Sequence, residues 1–202
     1  MTRALVVLAV AASALLVVFA VDVLRWRSDL ESQDVRFLAA PTQVRYAAPP
    51  ELLPFGAAER ALGGSDDIAF RRQLESFARV RPGGVLTPPL LALRAETQLA
   101  LAELARSGGE VRRRSRAANM IGVLALDVRL APGDPDALAN LIAGAIGSFR
   151  SAVALDPGNA DAKTNLEVAL RIAKAATLSG DAPAGGRNTG DEAGIGQSGS
   201  GY

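Results

Sequence analysis

The sequence predicts an all-α protein: an N-terminal transmembrane helix, then a small helical-hairpin domain, then a disordered C-terminal tail. Three observations predict it. Residues 4–21, ALVVLAVAASALLVVFAV, carry no charge. Beyond them the chain is rich in alanine, with few Val or Ile, and alanine loses no side-chain entropy on entering a helix. Pro and Gly clusters divide that alanine-rich part into helix-length segments. The composition also excludes chemistry. With no cysteine and no histidine there is no disulfide framework, no Cys/His zinc site and no His-based nucleophilic triad. A net charge of +1 without a strongly basic segment argues against nucleic acid as a partner.

The first element is the anchor, residues 1–25. An uncharged run of 18 residues is just long enough to cross a bilayer, and Trp26 between Arg25 and Arg27 suits the membrane–water interface. The alternative is a signal peptide cleaved after Ala20, since Val18-Phe19-Ala20 fits a small-x-small rule. The run is longer than a usual signal core and continues into a polar helical stretch, which favours the anchor. Arginines on both sides leave the positive-inside count undecided. The short N-terminal flank is most simply cytoplasmic, placing the rest of a single-pass cell-membrane protein outside the cytoplasm.

Residues 26–56 read as a charged stalk and a Pro-rich connector, with Pro41, Pro49, Pro50 and Pro54. The helical domain spans 57–177. A short helix over 57–62 ends at Gly63-Gly64. Ser65-Asp66-Asp67 is an N-cap cluster for a helix over 67–80. Thr87 caps the next, with Pro88 and Pro89 in its first turn. Further helices are expected over 110–130, from Asp134-Pro135 to Leu155, and over 160–177 behind an Asn159 cap. Residues 178–202 are Gly-, Ser- and Asn-rich and compositionally disordered.

One constellation is specific. Ala145-x3-Phe149-x2-Ala152-x4-Pro157 sets two small residues and an aromatic on one helix face, then a helix-ending proline. This resembles the second helix of a tetratricopeptide repeat. Gly122 stands at the small position of a preceding first helix, and Asn165-Leu166 match a following one. The likeness covers residues 115–177. It departs from the pattern in an insertion of about 11 residues around Pro132–Pro135, relative to a 34-residue repeat, and in Glu167 at a small-residue position. The anchor, the single degenerate repeat and the Gly-rich tail together resemble repeat-bearing membrane proteins of bacterial Bat clusters. Those are associated with MoxR-type AAA+ ATPases and von Willebrand factor A proteins. The resemblance implies an accessory scaffold in an envelope complex, with a MoxR-type ATPase or a von Willebrand factor A protein as partner. It transfers packing positions (Gly122, Ala145, Phe149, Ala152, Pro157, Leu166) and no catalytic residue.

The remaining candidates are contact residues. Arg112, Arg113, Arg114 and Arg116 form the densest charge run, able to meet lipid headgroups or an acidic partner, or simply to lie in solvent. Asn165 can bond a peptide in a repeat groove or face water. Asp66-Asp67 and Asp134/Asp136 are carboxylate pairs that capping explains, which leaves a carboxylate-based hydrolase as a weak alternative. The expectation is a membrane-bound protein–protein interaction scaffold without catalytic, cofactor or metal residues.

Overall fold

Helix α1, Thr2–Ala39, takes in the whole apolar run and continues without a break through the charged sequence beyond it. At 1.5 Å per residue it is about 57 Å long. In this computed structural model the described residues are 2–83, 85–107, 109–127, 130 and 133–178. Among them the chain is all-helical, with α2 at Ala57–Leu62, α3 at Gly64–Val80, α4 at Pro88–Ser107, α5 at Val111–Ala125, α6 at Pro135–Leu155 and α7 at Ala160–Leu178. The Gly-rich tail expected to be disordered lies outside the described residues, apart from the last residue of α7. The chain divides into two compact units, Met1–Gly109 and Glu110–Tyr202.

In the first unit α1 changes character at Asp22. From Arg3 to Val17 every residue is exposed, and the helix is long and apolar enough to span a membrane. From Asp22 onward one face is covered. Asp22, 1% exposed, accepts hydrogen bonds from the backbone N–H of Leu52 (2.9 and 3.0 Å) and Leu53 (2.8 Å). Gln33 exchanges two bonds with the Ala47 backbone, donating at 3.2 Å and accepting at 3.0 Å. The Tyr46 hydroxyl donates to Asp34 at 3.0 Å. These pairings run antiparallel: 34 with 46, 33 with 47, 22 with 52. Twelve residues of helix cover about 18 Å, and six residues of extended chain cover about 19 Å, so the connector returns along α1 in register.

Residues 26–56, the charged stalk and the Pro-rich connector, pair with each other along their length. Trp26, expected at the membrane interface, is 1% exposed and packs with Leu30, Ala58 and Ile68. The reason is spacing: Asp22, Trp26 and Leu30 are i, i+4, i+8 on the face that meets α2 and α3. Gly64 admits the indole. A Cβ there would stand 2.5 Å from Trp26 Cζ3 and 3.2 Å from Glu59 Cγ. Among the described residues the indole N–H finds no acceptor.

Helix α3 starts at Gly64, earlier than Asp67, because Gly63 ends α2 and opens α3 with one left-handed residue (φ 62°). Asp66 and Asp67 thus lie inside the first turn, and no side chain caps it. Asp67 pairs with Arg71, whose guanidinium also grips Asp34 through Nε (2.9 Å) and Nη2 (2.8 Å) and lies 6.0 Å over the Tyr46 ring. Glu75 accepts the Tyr46 backbone N–H at 3.1 Å and pairs with Arg79 at 2.5 Å. The short α2 is capped from upstream, Glu51 accepting from the N–H of Ala58 (3.1 Å) and Glu59 (2.7 Å). Helix α4 packs on α3 through Arg94, Thr97 and Leu101.

Two outcomes are expected. Gly64→Ala crowds a buried indole and destabilises the first unit by about 1–3 kcal/mol, read from chemical denaturation in mild detergent. The Arg71 hydrogen bonds, the largest cause, hold the Asp34 carboxyl below its ordinary 3.8, and the Tyr46 hydroxyl adds to this. A lowered carboxyl favours folding above the unfolded value, and that contribution is lost as pH falls through the folded one. Asp34→Asn therefore unfolds at lower denaturant near neutrality, and its gap from wild type narrows below pH 3.8.

Candidate functional site

The second unit is a hairpin of α5 and α6 with α7 laid against α6 and, more lightly, against α5. Helix α6 starts where expected: Asp134 Oδ1 accepts the Ala137 N–H at 3.0 Å and Pro135 fills the first turn. Helix α5 stops at Ala125, short of the expected residue 130, and its last turn closes with the Leu126 N–H on the Gly122 carbonyl. Helix α7 is capped as expected, Asn159 Oδ1 accepting from the Ala162 N–H at 3.0 Å.

Four of the six packing positions, Gly122, Ala145, Phe149 and Leu166, come together. Ala145, Phe149 and Ala152 on α6 are fully buried. Phe149 and Ala145 meet Ala169 of α7, with Val123, Leu126, Ile146 and Leu166 packed around them. Gly122 of α5 lies under the ring, where a Cβ would stand 2.6 Å from Phe149 Cδ1 and 2.8 Å from Cζ. Pro157 sits instead in the exposed α6–α7 turn. That turn is closed by Asp156, which accepts the Gly158 N–H at 2.8 Å on its side chain and the Asn159 N–H at 3.0 Å on its carbonyl.

Polar residues that periodicity does not single out join the three helices. The fully buried Ser115 hydroxyl donates to the Ala152 carbonyl at 2.7 Å and accepts from Asn159 Nδ2 at 2.8 Å. Asn159 thus caps α7 with one end of its amide and ties it to α5 with the other. One helical turn further, Asn165 donates to Asn119 Oδ1 at 2.9 Å. The Asn165 amide nitrogen is accordingly engaged within the chain, and both asparagines are half-buried. The only sequence sign of this pairing is the four-residue step shared by Ser115/Asn119.

The arginine run divides by helical angle. Arg113 pairs with Glu110 at 3.4 Å, and Arg114 is half-buried. Arg112 and Arg116, one turn apart and both exposed, point the other way. They line an open cavity of about 320 Å³ with Asp156, Asn159, Asp161 and the backbone of Gly158 and Ala160. Neither forms an ion pair among the described residues. The cavity offers two guanidinium forks, two carboxylates and the first turn of α7, groups able to hydrogen-bond a charged or polar segment. Among the described residues no three carboxylates gather into a cation site.

Gly122→Ala is expected to cost about 1–3 kcal/mol by overpacking the Phe149 ring. Phe149→Leu in the same chain recovers part of that loss, so a double-mutant cycle by denaturation returns a coupling rather than additivity.

The comparisons with known proteins add no relative: no family model, no curated protein and no solved structure matches this chain.

Proposed function

We propose that the chain is a membrane-anchored protein–protein interaction scaffold, held in the cell membrane by α1 and offering its second helical unit to a protein partner. The observation that carries the reading is the division of α1. Its apolar half is exposed among the described residues, and its charged half is packed from Asp22 onward. An exposed stretch of that length and hydropathy belongs in lipid. Helix α6 is also long and apolar, but Ile142, Ala145, Phe149 and Ala152 are buried, as in the core helix of a hairpin.

On the partner side, the reading is supported by Arg112 and Arg116 beside the α6–α7 turn, exposed and without an internal counter-ion among the described residues. The resemblance to Bat-cluster proteins makes a MoxR-type ATPase or a von Willebrand factor A protein the partner to test first. The proposal places the helical units on the extracytoplasmic side. A second reading, an exported module cleaved after Ala20, is favoured by one detail: the packing begins at Asp22, so a chain starting at Val21 keeps these contacts.

Mass spectrometry of the mature protein separates the two. An intact Met1 or Thr2, with retention in the membrane through alkaline extraction, is expected; a mature terminus at Val21 defeats the anchor. In membranes carrying the full chain, photo-crosslinking from position 160, on the same cavity and exposed, is expected to capture a defined protein. Arg112→Glu with Arg116→Glu abolishes that capture while leaving the unfolding curve unchanged.

A further inference from the structure

We propose that residues 52–55 form an apolar wedge seated in the interfacial layer of the membrane leaflet from which α1 emerges. The proposal rests on α1 being an anchor, and its occupant is lipid. Three features of the first unit lead to it.

The first is height. Asp22 is the first charge after the apolar run, and its carboxylate holds the N–H groups of Leu52 and Leu53. Helix α1 is unbroken across this point, so the loop is fixed at the level where the apolar run ends. The connector descends from Tyr46 opposite Asp34 to Leu52 opposite Asp22. Helix α3 then climbs again, with Gly64 against Trp26 and Arg71 against Asp34. Residues 53–56 are thus the end of the packed part of this unit nearest the apolar half of α1.

The second feature is what that end displays. Phe55 is 86% exposed and Leu52 57%, with Pro54 exposed between them. An aromatic ring so bare is well placed at the membrane interface, where aromatic side chains collect. Arg25 and Arg60, both exposed, flank this level and suit lipid phosphates.

The third is that the loop is held in this pose. Phe55 adopts φ +70°, a conformation bulky residues rarely take, and Gly56 follows in the same region. Arg60 holds the Phe55 carbonyl, and Glu51 caps α2 immediately behind the loop. The strained backbone turns the ring outward, away from the Trp26 cluster.

The test uses the full chain, which has no native cysteine to remove. Single variants Phe55→Cys, Leu52→Cys, Ala12→Cys and Leu38→Cys are labelled with an environment-sensitive fluorophore. They are reconstituted in phosphatidylcholine/phosphatidylglycerol vesicles containing nitroxide lipids. Leu38 is 81% exposed, like Phe55, but lies 16 residues beyond Asp22, about 24 Å along the helix. The expected result is blue-shifted emission at 55 and 52, quenched by a nitroxide near the top of the acyl chain. Position 12 is quenched by a deep nitroxide, and position 38 by neither. Lipid contact at 12 with water at both 55 and 52 overturns the wedge and leaves the anchor standing. No lipid contact at 12 removes the anchor and the wedge with it. Equal quenching at 38 and 55 also overturns the proposal, because depth then has no part in the signal.

Discussion

A carboxylate that follows directly on an apolar run must stay in water or find donors, because burial without hydrogen bonds is costly. Asp22 finds them in the Leu52 and Leu53 backbone. The rest of the first unit depends on this one pairing. It brings the connector back down α1, which in turn sets Glu51 at the start of α2 and Tyr46 beside Asp34. It also closes the face on which Trp26 and Leu30 lie, so that α2 and α3 have something apolar to cover. The helix that is bare for its first half becomes half of a small core for its second.

Both units solve the same packing problem in the same way. Only 4% of the residues are aromatic, and in each unit one buried ring lies against a helical glycine. An alanine-rich helix pair packs closely but leaves little room for a ring, and interiors tolerate neither voids nor overlap. A helical glycine opposite the ring makes the room: Gly64 for Trp26 and Gly122 for Phe149. Glycine inside a helix is unfavourable by about 1 kcal/mol relative to alanine. That cost is offset by burying the ring.

Local rules read most of the helices correctly because their ends are written locally. Asp134-Pro135 and Asn159 cap where expected, and α2 and α4 follow from their Gly and Pro neighbours. The start of α3 is misplaced because a glycine in the left-handed region ends one helix and begins another without any side-chain cap. Trp26 between two arginines has the local look of an interfacial residue, and only its distant partners Ala58 and Ile68 reveal it as core. The same holds for Asn165, whose partner Asn119 lies across the hairpin. Of the candidate site, the packing positions were legible because an aromatic and small residues at helical spacing imply a shared face. The division of the arginine run was not, since it depends on where the α6–α7 turn comes to rest.

Arginine outnumbers lysine 20 to two, and the structure sorts the arginines by what each one meets. Arg71 and Arg79 serve the first unit, holding Asp34, Asp67 and Glu75, while buried Arg94 reaches the Val80 carbonyl at 3.4 Å. Arg27, Arg106 and Arg171 form exposed pairs along their own helices, which add little to stability. Arg112 and Arg116 fit neither group. They stand near the N-terminus of α5, where the helix dipole disfavours cations, and no carboxylate among the described residues lies close enough to pair with them. Charges that neither stabilise their helix nor pair within the chain are the ones an external group is best able to use. The cavity beside the α6–α7 turn is accordingly the surface from which a partner contact is to be sought.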